Sequence, residues 1–265
     1  MLGGDLVLPE VISWRSRDGL QVTGMLFTPK EQVPGKHPLV VHIHGGPVGQ
    51  WNKQWIPWNQ YLVQRGYVVL VPNYRGSKGY GREFMERLYG DWGGGDLEDN
   101  ITGAEAVIAR GLVDPDKVVA TGGSAGGYST LICMTKAPGV FKAGIARYGI
   151  ADLATFTDTT WIFERHYIAK LMGGPGGQTP DIYRERSPLN FVDDVRRPLL
   201  ILQGEDDIVC HRSEMDKMTA ALQKAGKHVE YTVYPDEGHG WKHVSTIIDD
   251  ARRSDDFLVR MVLNR

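Results

Sequence analysis

Only two cysteines, Cys133 and Cys210, occur among the 265 residues, too few for a disulfide framework. Cys133 lies in an apolar run and reads as a small core residue. No apolar run is long enough to span a bilayer. Met1-Leu2-Gly3-Gly4-Asp5 lacks a basic stretch followed by an apolar one, so no signal peptide is read and a cytoplasmic location is expected. No block of one charge sign stands out and the net charge is −2, which argues against nucleic-acid and membrane partners. There is no internal repeat and no linker, so residues 1–265 read as a single domain. At 42% hydrophobic and 23% charged, the chain can fill a sizeable core.

Metal and phosphate signals are equally thin. His42-x-His44 lacks a nearby third ligand, and His239 with His243 lies in a glycine-rich loop without the glutamate of a zincin helix. Gly79-Tyr80-Gly81 is not followed three residues later by the glycine that a phosphate loop needs. Neither a metal nor another cofactor is expected.

What is present centres on residues 118–128. Val118-Val119-Ala120 reads as a buried strand, and Tyr128 to Met134 as a helix packed on it. Between them stands Gly122-x-Ser124-x-Gly126, the pattern of a nucleophile elbow. In so sharp a turn, side chains two positions either side of the serine would collide. Glycine at both places removes the collision, and Gly123 and Gly127 are expected to loosen the packing further. The serine oxygen then stands at a helix N-terminus, whose free N–H groups favour negative charge.

Around this point strands alternate with helices. Val11 to Trp14 and Leu20 to Phe27 flank the turn Arg17-Asp18-Gly19, hence a hairpin. Strands are expected at 39–44, 67–71, 143–147, 198–202 and 229–234. Helices are expected at 55–65, 82–89, 96–110, 213–225 and 246–263. Residues 150–187 have no clean period and contain Gly173-Gly174-Pro175-Gly176-Gly177; they read as a cap-like excursion with a mobile edge facing substrate. Apolar strands without alternation indicate a mostly parallel central sheet with helices on both faces, an α/β fold.

In such a sheet, function collects beyond the carboxyl ends of the strands. Four ends carry parts of an acyl-transfer site: His44-Gly45-Gly46-Pro47, Ser124, Asp206-Asp207 and His239. The order serine, acid, histidine is that of the α/β-hydrolase fold, with room for a strand and helix between each. A serine hydroxyl needs a base, which His239 supplies, and an acid to hold the imidazole ring. Counting from Gly204 selects Asp207 as the acid, whereas aligning on Val209 selects Asp206; Asp207 is favoured.

These residues, with Pro72-Asn73-Tyr74-Arg75-Gly76-Ser77, Gly90-Asp91-Trp92-Gly93, Ser187-Pro188-Leu189-Asn190 and Pro235-Asp236-Glu237-Gly238-His239, resemble the catalytic domain of the prolyl oligopeptidase family. The resemblance runs from about Glu10 to the C-terminus and is nearest to the acylaminoacyl-peptidase and dipeptidyl-peptidase branch. It implies Ser124 as nucleophile, His239 as base, and an oxyanion hole built from the N–H groups of Gly46 and Ala125. There are three departures. Ala125 stands where the family usually has Tyr, so a pocket-walling ring is missing. Cys210-His211 replaces a Val-Pro pair. The β-propeller that screens substrates by size in family peptidases is not expected here.

The expected function is therefore a serine hydrolase of carboxylic esters and short peptide or acyl-amino-acid bonds, working through an acyl-enzyme. The competing expectations are the catalytic piece of a propeller-type exopeptidase or oligopeptidase, and a non-catalytic binding scaffold. Among Trp51, Trp55, Trp58, Phe156, Trp161 and Phe163, one or two are expected to contact substrate, with Trp161 and Phe163 preferred. Arg147, Glu164 and Arg165 read more simply as surface charges than as contacts for a substrate terminus. Any restriction on substrate length would have to come from homo-oligomer packing, which the sequence does not specify.

Overall fold

The computed structural model describes residues 6–263, so the Met1–Asp5 stretch read above lies outside the described residues. Among the described residues eight strands form one sheet: β1 (Glu10–Arg15), β2 (Gln21–Phe27), β3 (His37–Ile43), β4 (Val68–Asn73), β5 (Val113–Gly123), β6 (Ala143–Arg147), β7 (Leu199–Gly204) and β8 (Val229–Tyr234). Their order is β1-β2-β4-β3-β5-β6-β7-β8. The β1–β2 and β2–β4 pairs are antiparallel; the other five pairs are parallel. This is the α/β-hydrolase sheet that the sequence led us to expect.

Strand composition explains why both faces are covered. Along β7, Leu199 and Ile201 enter one core while Leu200 and Leu202 enter the other, and β4 alternates in the same way through Val68 to Val71. Each apolar strand thus needs a helical layer on each side. α3 (Gly95–Ile108), α4 (Ala125–Lys136) and α8 (Ser213–Lys224) supply one layer. α1 (Pro57–Gln64) and α9 (Val244–Met261) supply the other through Leu62, Val63, Phe257 and Leu258. Among the described residues no helix is long and apolar enough to cross a membrane.

Most boundaries shift by one to three residues from expectation, and two are worth naming. β5 begins at Val113, well before the apolar triplet, because Val113 pairs with His37 ahead of a register shift. α2 (Arg82–Glu86) is shorter than expected. The excursion folds as three helices: α5 (Leu153–Thr159), α6 (Ile162–Leu171) and α7 (Pro180–Glu185). Its glycine run is tied in place, with the Gly174 N–H donating to the Ala169 carbonyl and the Tyr183 hydroxyl donating to the Gly174 carbonyl.

Candidate active site

β5 delivers the chain to Ser124 and α4 takes it away. Ser124 sits at φ 59°, ψ −126°, a backbone region that side chains rarely occupy. A Cβ on Gly122 would stand 2.6 Å from the backbone of Gly126, which confirms the steric reason for that pair of glycines. Gly123 and Gly127 do not loosen the packing as expected; they let neighbours in. A Cβ on Gly123 would lie 2.7–2.9 Å from the Tyr148 ring, and one on Gly127 would strike the carbonyl of Arg147.

Three strand ends then converge. His239 Nε2 lies 2.8 Å from Ser124 Oγ, and His239 Nδ1 lies 2.9 Å from Asp207 Oδ2. A carboxylate only accepts, so Nδ1 carries the proton and leaves the Nε2 lone pair to accept from the serine hydroxyl. Asp207 is itself held fast: it is buried, and its Oδ1 accepts the N–H groups of Val209 at 2.9 Å and Cys210 at 2.8 Å. Asp206 is exposed, and its backbone N–H donates to the Glu237 carbonyl. Of the two adjacent carboxylates, Asp207 is the one that meets His239.

The loop bearing His239 is organised by Glu237, whose side chain is buried. Its carboxylate accepts from the N–H groups of Lys242 and His243 and lies 3.0 Å from His243 Nδ1. Burial alone would raise its pKa, but these donors, led by the Lys242 N–H, outweigh burial and hold it at about 2 against an ordinary 4.5. A depressed folded-state pKa contributes stability that is present above the unfolded value and lost as pH falls towards the folded one. Glu237→Gln is therefore expected to be less stable than the parent at pH 7, with the difference shrinking between about pH 4.5 and pH 2. Urea midpoints for both proteins at pH 7, 4 and 3 check this; a gap that ignores pH would exclude the carboxylate as its source.

The glycine loop after β3 faces the elbow. A Cβ on Gly45 would lie 3.0 Å from the Gly123 carbonyl oxygen and 3.3 Å from Ser124 Cβ, tighter than ordinary contact. Gly46 has φ 130°, and a Cβ there would lie 2.7 Å from the Val48 nitrogen. The loop is braced from below by the Asn73-Tyr74-Arg75-Gly76-Ser77 segment. Tyr74 stacks on His44 with centroids 4.3 Å apart, and its hydroxyl reaches the carbonyls of His44 and Pro47. Ser77 Oγ lies 2.8 Å from His44 Nε2, while Asn73 holds the backbone of Trp51 at both N–H and carbonyl. Opposite this loop, the Ala125 N–H heads α4, where no carbonyl of the helix reaches it.

Other candidates fall elsewhere. His44 is buried and His42 half-buried, and desolvation pushes both down to about 4; His42 Nδ1 meets Asn59 Oδ1 at 2.7 Å. No group of three or more His, Cys, Asp or Glu among the described residues is placed to hold a metal ion. Trp161 and Phe163 stand exposed at the start of α6, packed edge to face on each other. Phe156 is core and Trp55 is exposed. Arg147 is no surface charge but is buried against Asp250. Glu164 is half-buried, and desolvation raises its pKa.

Two features had no signal in the sequence. Cys210 is buried beside the catalytic acid, its N–H donating to Asp207 Oδ1, and desolvation drives its thiol pKa well up, so it stays a neutral thiol. Tyr148 sets its ring edge against His239 and against Trp241, each 5.0 Å between centroids, from a backbone at φ 34°. Nothing in the spacing of residues 147–149 indicates that a ring belongs there.

With this geometry in view, the relatives are informative. A dipeptidyl aminopeptidase BIII of Pseudoxanthomonas mexicana is 34% identical over 250 residues, covering 90% of this chain and 36% of the relative. Acylamino-acid-releasing enzyme 1 of Oryza sativa subsp. japonica is 32% identical over 212 residues, covering 77% of this chain and 27% of the relative. The chain thus spans about a third of the length of these relatives. Among solved structures, a Mycobacterium tuberculosis puromycin-hydrolyzing peptidase superposes with a TM-score of 0.93 at 33% identity, covering 98% of this chain and 40% of the other. The model of the prolyl oligopeptidase family matches residues 54–265, from the start of α1 through the elbow and both later strand ends. The chain belongs to the prolyl oligopeptidase family.

Proposed function

We propose that the chain is a serine hydrolase that opens short peptide, acyl-amino-acid and carboxylic ester bonds through an acyl-enzyme. The observation that carries this reading is the unbroken run of hydrogen bonds from Ser124 through His239 to Asp207. His239 takes the proton as Ser124 Oγ attacks the carbonyl, and Asp207 stabilises the imidazolium that forms. The N–H groups of Gly46 and Ala125 receive the oxyanion. His239 next returns the proton to the departing amine or alcohol, then activates water to release the acyl group. No metal or other cofactor takes part in this scheme.

Amide cleavage is supported by the relatives, whose names describe an aminopeptidase, an acylamino-acid-releasing enzyme and a puromycin-hydrolyzing peptidase. Ester cleavage follows from the chemistry, because an alkoxide leaves more easily than an amide nitrogen. Ala125 leaves room beside the nucleophile for small, mainly apolar acyl groups, with Trp161 and Phe163 at the rim of the excursion as further contacts. We assign one catalytic domain to residues 1–265, a short peptide or ester as partner and the cytoplasm as location.

A fluorophosphonate probe is expected to label the parent protein and not Ser124→Ala; labelling of both, or of neither, would reject the nucleophile. Specificity constants across p-nitrophenyl esters and aminoacyl-anilides, on protein of measured oligomeric state, test the breadth of the site. Hydrolysis confined to one dipeptide end, with simple esters ignored, would overturn the broad-specificity reading.

A further inference from the structure

Behind the catalytic histidine lies a cavity of about 460 Å³, inside the roughly 300–1,000 Å³ range of small-molecule sites. Trp58 and Tyr61 of α1, Tyr148 after β6, Trp241 after the His239 loop, and Ile247 and Ala251 of α9 form its walls. The backbone of Gly122 and Gly123 closes one side, but neither Ser124 nor His239 contributes to the wall. It is therefore a space beside the nucleophile elbow, distinct from the point where an acyl group would attach.

Its chemistry is selective. Four aromatic rings around one open cavity favour a flat aromatic occupant, which can stack or meet ring edges. The only charges present already satisfy each other. Arg147 donates to Asp250 through Nε at 2.7 Å and through a terminal nitrogen at 2.6 Å, and its other terminal nitrogen donates to Thr121. Trp241 Nε1 donates to the same carboxylate at 2.6 Å. An ionic ligand would leave its own charge unmatched in this apolar space.

We propose that this cavity binds an uncharged, planar aromatic molecule, and that its occupancy is felt at His239. The route is short. Tyr148 and Trp241 wall the cavity, and the Tyr148 ring also rests its edge on the His239 ring. A ligand stacked on Tyr148 fixes the surface against which the imidazole moves between Ser124 and the leaving group. The binding site stands on the cavity alone; the link to His239 rests on the hydrolase reading above.

The probe is 6-propionyl-2-(dimethylamino)naphthalene, an uncharged aromatic ketone with no hydrolysable bond whose emission shifts to the blue in apolar surroundings. Titrated into the full chain, it is expected to give one saturable blue shift that survives phosphonylation of Ser124. Ala251→Phe, which fills the cavity, is expected to weaken binding about tenfold or more. Ile247→Trp, at a half-exposed position on the rim, is expected to act in the same direction without disturbing the core. A signal that does not saturate, that phosphonylation abolishes, or that both variants leave unchanged overturns the site. At saturating probe, kcat for p-nitrophenyl acetate is expected to change; an unchanged kcat, or a rise in KM alone, overturns the link to His239. Absence of any turnover would reject the hydrolase reading, and with it the link, while the fluorescence titration still decides the site.

Discussion

Ser124→Ala is expected to lower turnover by about a million-fold while leaving the unfolding transition in place. Alanine keeps the Cβ that fits the elbow and removes only the oxygen that His239 Nε2 meets at 2.8 Å. Without it no acyl-enzyme forms, and the remaining acceleration comes from substrate binding and the oxyanion donors. The side chain donates one hydrogen bond, at the site's mouth, so its loss removes little packing. Active-site-titrated parent and variant, compared by kcat and by circular dichroism, provide the measurement. Substantial residual turnover in a pure, folded variant would remove Ser124 from the mechanism.

Asp207→Asn carries the second largest expectation, a fall of about ten-thousand-fold in kcat, with Asp206→Asn close to the parent. An asparagine amide turned towards His239 Nδ1 presents N–H and favours the tautomer with the proton on Nε2. That tautomer can no longer accept from the serine hydroxyl, even though every distance stays the same. The Val209 and Cys210 N–H groups, both aimed at Asp207 Oδ1, demand an acceptor there and so force the amide nitrogen towards the histidine. Asp206 points into solvent and shares none of these contacts. Kinetics on the two single variants decide the matter, and the reverse ranking would show that the wrong neighbour has been assigned.

How much of this was legible in advance depends on what each feature rests on. The sheet was legible because β3, β4 and β7 are apolar on both faces, a pattern that only a covered strand tolerates. The elbow was legible because sterics confine its two glycines to fixed offsets from the serine. The first half of β5 was not, since Asp114-Pro115-Asp116 imitates a turn and only pairing of Val113 with His37 draws it into the sheet. Asp206 and Asp207 differ by one position, and burial, which sequence spacing does not report, separates them. The roles of Glu237, Tyr148 and Cys210 depend on contacts across loops from distant strands, which leave no periodic trace. The three short helices of the excursion likewise follow from burial of Leu153, Phe156, Ile168, Leu171 and Tyr183 in the core, with too few residues each to show an amphipathic period.

The backbone of Ser124 has one more consequence, which concerns drift. A non-glycine residue at φ 59°, ψ −126° costs about 1–3 kcal/mol, a sizeable share of the roughly 5–15 kcal/mol that separates a folded domain from its unfolded chain. Glycine would bear no such cost at that place. Random substitution filtered only for folding would thus tend to erase the hydroxyl and reward the chain for losing it. A serine kept at this strained position is thus one that selection for folding alone would not favour.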